Sequence, residues 1–504
     1  MCPERASGVY RSPAAEGHVT NSTTGGLGLR ELWAQMRSWP RRRRVRVGLG
    51  LVYAGVACFW LLDLAGLSLL HRFTVGDNAN LLEARSWLRG RLDLIIDQAA
   101  LSRPNNTGRP WDTALFQGRV YSHFPPLGTM VFVPMAWLWN DEAPRWVLLV
   151  LLGLVTPALA YRVLLVCTPS VRTAILMTFA LLFGSSLTFV VDRSVRWAMV
   201  FHTNQALSTL GLLLFLGEYF GQRRVWLAAI GLALSFWSRQ LTLAYAVPLI
   251  YMAWRWPSRT ARPADEPVPT DEGEPAFRPN LANAHRWQRL AVATLACAAM
   301  VGCAMMLNSA KFQNPLDSGY RHIYAGRDDG FARDAATYGI FSPHYFGQNL
   351  FWLFVGPPQS LQVGGLFLRR VENGSLMGRW ESGYQPRLRR AQFAYLRANT
   401  LCTGLIWSTP LVCYLLFDLR RIRRDPSRCV LLVAAAVVLA AQLCYHSVGQ
   451  DQRGYNRYSM DYLSPLLAIL SPFALHGRRK WITPVLIGWS LLYFQWLVPQ
   501  VSNF

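Results

Sequence analysis

Lysine is nearly missing from this chain of 504 residues: it stands at positions 311 and 480, so almost all of the 51 basic residues are arginine. Acidic residues are few as well, 28 in all, which leaves a formal net charge of +23. In a soluble protein that excess would point to nucleic acid. Here the arginines flank apolar runs, as positive-inside loops of membrane proteins do, and no nucleic-acid partner is expected. The nine cysteines are scattered without metal-ligand spacing. Cys297 and Cys303 share an apolar run but form no Cys-x-x-Cys pair, so neither a disulfide framework nor a metal site is expected. Missing too are a P-loop, a Rossmann glycine pattern, Gly-x-Ser-x-Gly and His-Glu-x-x-His. A nucleotide-activated donor is therefore not expected. The period-two alternation of a membrane β-barrel is absent. No cleavable leader is expected either: the first long apolar run opens near residue 47, behind a polar tail and Arg41–Arg44, and reads as an uncleaved anchor.

What the chain has in abundance is apolar length. Hydrophobic residues make up 52% and aromatics 13%, with 20 tryptophans. Runs such as 47–70, 146–165, 171–191, 198–216, 290–307, 430–444 and 482–498 approach the roughly 17–25 residues that cross hydrocarbon. Only helices or closed barrels satisfy their backbone there, so the expected fold is an all-α polytopic membrane protein of about 11–13 helices. Residues 1–46 read as a disordered cytoplasmic tail, 47–254 as an N-terminal membrane module and 290–504 as a C-terminal membrane half. Between the halves, 255–289 is a Pro-rich linker. Basic clusters at 41–44, 223–224, 419–428 and 477–480 mark the cytoplasmic side, which leaves 71–125, 308–392 and 446–458 on the outer face of a cell membrane. For parity, 127–140 is read as a short or re-entrant helix ended by Asn140-Asp141-Glu142. The stretch 225–253 is read as two short helices meeting at Ser238-Arg239-Gln240.

The densest chemistry lies in 71–125. Asp77 follows the first span and precedes a predicted amphipathic helix whose apolar face carries Leu81, Ala84, Leu88, Leu92 and Ile95. Glu83, Arg85, Arg89 and Arg91 are left for the wet side, with Gly90 as a breaker. Asp77 has two compatible readings, an N-cap and a general base that takes a proton from an acceptor hydroxyl. In GRVYSHFPPLG, Tyr121 and His123 precede the Pro125-Pro126 turn at the expected headgroup level; Tyr121 also suits an aromatic belt, and His123 a phosphate donor or proton shuttle. Arg239 interrupts an apolar stretch at a cost of about 2.5–3.5 kcal/mol, so it needs an anion: a lipid phosphate held by its fork, or a partner such as Asp192. Farther on, Arg457 and Asp461 stand four apart, as an i,i+4 ion pair or as substrate contacts. The loop around Tyr320 is rich in Asp, Arg, His and aromatics, as carbohydrate sites are.

The order of these features resembles the GT-C superfamily of polyprenyl-phosphate-sugar-dependent glycosyltransferases, in the branch of dolichyl-phosphate-mannose and aminoarabinose transferases. GDNANLLEARSWLRGRLDL is similar to that family's first external loop, which would make Asp77 the catalytic residue. GRVYSHFPPLGTMVFVP resembles its return into the membrane, and SRQLTLAYAVPLIY its paired short helices beside the lipid phosphate. Asn78 departs from the family, where an acid often follows. The resemblance implies a membrane transferase with Asp77 as base. Glu83, Arg85, Tyr121, His123, Arg239, Tyr320, Arg457 and Asp461 would bind substrate, with no cofactor beyond the polyprenyl-phosphate donor and a glycan, lipid or protein as acceptor. A lipid-linked-sugar flippase would predict internal repeats, which are not visible. An O-antigen ligase would carry its main outer loop late in the chain.

Overall fold

The computed structural model describes residues 39–61, 72–73, 78–96, 113–168, 170–197, 199–255, 279–325, 330–358, 402–446 and 454–499. Asp77, the tail 1–38, the linker stretch 256–278 and segments 326–329, 359–401 and 447–453 lie outside them. The chain divides into two compact units, Met1–Val47 and Gly48–Phe504. In the first, helix α1 (Arg41–Val56) begins, and the Arg43 guanidinium lies 4.1 Å over the Trp39 ring. All that follows belongs to the second.

The protein is mostly helical. After α1 come α2 (Ala79–Leu88), α3 (Leu127–Leu138) and α4 (Arg145–Cys167). Next are α5 (Val171–Leu182), α6 (Leu187–Trp197), α7 (Val200–Phe220), α8 (Val225–Phe236) and α9 (Ala246–Arg255). The C-terminal half holds α10 (Pro279–Phe312), α11 (Gly330–Tyr338), α12 (Tyr414–Arg423), α13 (Pro426–Leu443), α14 (Met460–Leu470) and α15 (Arg479–Leu492), with shorter helical turns between them.

Three of these are long and apolar enough to cross a membrane: α4, His285–Phe312 within α10, and α13. The pair α5–α6, bent by 52°, makes a fourth if it is one span. Among the described residues this is fewer than the about 11–13 read from apolar runs, because several runs are cut or diluted. In α7 the stretch His202-Thr203-Asn204-Gln205 lowers the apolar density of the first turns. The run 225–253 breaks, as expected, where Trp237 and Ser238 leave the helix and Arg239 turns extended (φ −148°, ψ 99°). The run 127–140 also stops short, since Asn140 and Asp141 take left-handed backbone (φ 51° and 66°).

The fold is not purely α. Arg72–Phe73 (β1) pairs antiparallel with Ala143–Pro144 (β4), and Thr113–Phe116 (β2) with Arg119–Ser122 (β3). The turn Gln117-Gly118 has φ of 50° and 74°, the double left-handed geometry that lets a two-residue hairpin follow strand twist. Alternation explains why this stretch pairs: Ala114 and Tyr121 face each other across the strands and pack on Phe312 of α10.

At one end of the helices sits a basic cluster. Glu218, fully buried near the end of α7, accepts from Arg162 (3.0 Å) and Arg224 (2.6 Å). Tyr219 Oη donates to the Ser427 carbonyl at 2.8 Å. Arg421 and Arg428 lie over Phe473, and Arg479 pairs with buried Asp418. α8 starts at Arg224's cluster and runs to the break at Arg239; α14 starts two residues after Tyr458 and runs toward Phe473.

Candidate functional site

Helix α2 is set by its cap. Asn78 accepts from the Asn80 and Leu81 amides at 2.7 and 3.4 Å, so the cap belongs to Asn78 and not to Asp77, which lies outside the described residues. The expected surface helix is in fact packed nearly all round: Asn80, Leu81, Leu82, Glu83, Ala84 and Ser86 are buried. It stops at Leu88, and Gly90 (φ 71°) turns the chain away, as the breaker reading anticipated. Glu83 does not face water. Its Oε1 accepts from Lys311 Nζ and its Oε2 from Thr129 Oγ1, each at 2.6 Å, and it is 0% exposed. Arg85, expected on the wet side, pairs with Asp141 at 3.2 Å in the turn after α3.

Lys311 carries a second bond, from Nζ to the Ser122 carbonyl at 2.9 Å. That bond anchors the end of the hairpin bearing Tyr121 and His123. Neither side chain lies at an exposed surface. Tyr121 packs against Ala114 and Phe312. The His123 ring, also buried, sits 4.1 Å from Phe124 and edge-on to Tyr320 at 4.7 Å. Tyr320 follows Gly319, whose φ of 84° and lack of a side chain are both required, because a Cβ would stand 2.4 Å from the Phe312 ring. Beside it, burial pushes the Asp317 carboxyl up. The Gly319 amide, His322 and Arg321 outweigh this and hold it below its ordinary value.

The break after α8 brings in the arginines. The Leu127 amide donates to the Trp237 carbonyl at 2.9 Å, joining α3 to that break. Arg239 then reaches Asp461 of α14 through Nε (3.2 Å) and Nη2 (2.9 Å), with Asp461 1% exposed. The Asp192 alternative is ruled out, since Asp192 pairs with Arg196 one turn along α6 at 2.5 Å. Gln442 Nε2 adds 2.7 Å to the same carboxylate, and Tyr245 Oη donates to the Asp461 carbonyl at 2.9 Å.

The expected Arg457–Asp461 pair does not form. Residues 457–459 make a tighter 3-10 turn ahead of α14, so the i,i+4 geometry of a continuous α-helix is missing. Arg457 lies 4.4 Å over Phe201 and 5.1 Å over Tyr458, the ring that Arg239 covers from 5.3 Å. Among the described residues no carboxylate pairs with Arg457.

The structure thus gathers His123, Tyr320, Arg239, Asp461 and Arg457, with Glu83 joined through Lys311 and Ser122. A cavity of about 20 Å³, room for roughly one water, is lined by Ser122, His123, Gln240, Asn308, Lys311 and Ser318. Nearby, Asn80 and Asn204 bury amides that make no hydrogen bond among the described residues. They close on Gly128, where a Cβ would lie 2.2 Å from Asn204 Oδ1 and 2.6 Å from Asn80 Nδ2.

Lys311 and Gln442 were not anticipated from the sequence. The rarity of lysine was the available signal for Lys311; Gln442 inside an apolar run was the signal for the other. Among the described residues no group of three or more His, Cys, Asp or Glu side chains is placed to hold a metal ion. Comparison with family models, curated proteins and solved structures finds no match to this chain.

Proposed function

We propose that the protein is an integral-membrane glycosyltransferase of GT-C type. It moves a sugar from a polyprenyl phosphate to a glycan, lipid or protein acceptor on the outer face of the cell membrane. One observation carries the reading: Arg457, beside the neutralised Arg239–Asp461 pair, has no carboxylate of its own among the described residues. A cation held between two rings and short of an anion suits a phosphate headgroup. It stands at the helix ends away from the Glu218 and Asp418 clusters, so the positive-inside rule assigns it to the outer side. In this reading α3, α8 and α9 are short membrane-inserted helices that bring the expected helix number closer.

The chemistry follows from the charges. Attack of an acceptor oxygen on the anomeric carbon forms the new glycosidic bond and breaks the bond to the carrier phosphate, which leaves as the phosphate monoester. Arg457 offsets the charge that grows on that leaving group, and His123, whose ring meets Tyr320, donates a proton to it. The acceptor proton goes to Asp77, which precedes the cap residue Asn78 in the sequence.

Asp77→Asn tests it in reconstituted protein supplied with polyprenyl-phosphate sugar. Asn78 holds the cap, so folding and donor binding should persist while turnover falls about 10²–10⁴-fold, the usual worth of a general base. Wild-type turnover in that variant would remove Asp77 from the mechanism. Passage of the lipid-linked sugar across vesicles, with no polyprenyl phosphate released, would replace the transferase by a flippase.

A further inference from the structure

Lys311 is one of two lysines in the chain and ends the 28-residue span of α10 inside the protein, 3% exposed. From there a single ammonium touches three elements. It grips Glu83 of α2, the Ser122 carbonyl at the end of the hairpin, and through Glu83 Oε2 it reaches Thr129 of α3. We propose that Lys311 is a positioning residue of the transfer site, a strap that fixes α2 and the hairpin on the end of the span. This rests on the transferase reading above.

The argument is one of alternatives. Taking a carboxylate and an ammonium out of water is costly for each, and an apolar pair of the same volume is commonly as stable or more so. Stability therefore does not account for this pair. What an apolar pair lacks is direction. The ammonium's hydrogen bonds to Glu83 Oε1 and the Ser122 carbonyl, and the carboxylate's to Thr129 Oγ1, fix α2, the hairpin and α3 in one relative placement.

Two of those elements bear on the reaction. Asp77 lies two residues ahead of the first residue of α2. Ser122 immediately precedes His123, whose ring meets Tyr320. A methionine in place of Lys311 fills the volume and removes the directional bonds, leaving α2 and the hairpin free to settle about 1 Å apart from their present register. A misplacement of that size costs on the order of 10²-fold in rate.

The test is the paired apolar variant Glu83→Leu with Lys311→Met in full-length reconstituted protein, beside Lys311→Arg. Expected are a melting temperature within a few degrees of wild type, an unchanged donor KM and a kcat lowered about 10²-fold. Lys311→Arg, which keeps charge and donors, should recover part of kcat. A paired variant that fails to insert and fold would make the ion pair a plain stability element and overturn the strap. So would one with kcat within twofold of wild type, or one that loses donor KM and keeps kcat. If wild-type protein releases no polyprenyl phosphate from any donor sugar, the transferase reading fails first, and the strap falls with it.

Discussion

The two ends of the helices treat charge in opposite ways. At the basic end a buried carboxylate faces several arginines that reach water: Glu218 is 0% exposed, while Arg162 and Arg224 are 42% and 38% exposed. At the other end two pairs are one to one and dry, Arg239–Asp461 at 16% and 1% and Lys311–Glu83 at 3% and 0%. Arginines that reach water are consistent with the positive-inside pattern, where hydration and screening do most of the work. Cations taken out of water need a named anion, and each dry pair supplies one. Among the described residues Arg457 is the exception, a cation with rings and no carboxylate beside it.

Removing a dry partner should break the contrast most severely. Asp461→Leu leaves Arg239 buried without its anion and strands Gln442, so thermal unfolding in detergent should report a loss of about 3–5 kcal/mol. Glu218→Leu at the basic end should cost less, because its two arginines can turn to water. An equal loss at both ends would mean that hydration does not separate them.

Arg457→Leu should act on binding more than on stability. Loss of one charge-assisted contact to a phosphate should weaken polyprenyl-phosphate affinity about tenfold or more. Arg421→Leu, over Phe473 at the basic end, should leave that affinity unchanged. Titration of the lipid into both variants measures the difference, and equal affinities would take the phosphate away from Arg457.

A milder effect should appear with pH. Burial pushes His446, which follows α13, down to about 4 from its ordinary 6.5. Its folded-state affinity for a proton is below the unfolded one, so protonation favours the unfolded chain. Stability is then unaffected above about 6.5 and declines as pH falls from there toward 4. His446→Gln should flatten that part of a melting-temperature profile. The smallest change belongs to Arg72–Glu142, with side chains 48% and 40% exposed. Breaking it with Glu142→Gln should cost no more than about 1 kcal/mol in the same melt.

How much of this was legible beforehand depends on the range of the interaction. The interruption at Ser238-Arg239 and the stop at Asn140-Asp141 were readable, because polar residues in an apolar run report locally. The hairpin at 113–122 carries a turn signal in Gln117-Gly118, but its two strands of four residues are too short to show a period-two pattern beside the helical runs. Glu83 was placed on the wet side because helical spacing identifies one apolar face, whereas α2 is packed on several. Arg239 was correctly judged to need an anion, but Asp192 was nearer in sequence than Asp461, 222 residues away.

By itself the sequence determined the mostly helical character, the presence of apolar runs long enough to cross a membrane, the uneven distribution of basic charge and the places where apolar runs are cut. Each of these follows from a residue's own preference for water or lipid, which is the same wherever it ends up in space. Tertiary structure alone decided the partners: Lys311 with Glu83, Arg239 with Asp461, and, among the described residues, Arg457 with rings instead of a carboxylate. Those choices depend on distance between segments far apart in the chain. Desolvation makes such distances decisive, since a buried charge interacts strongly with whatever lies within a few ångströms and the chain order does not say what that will be.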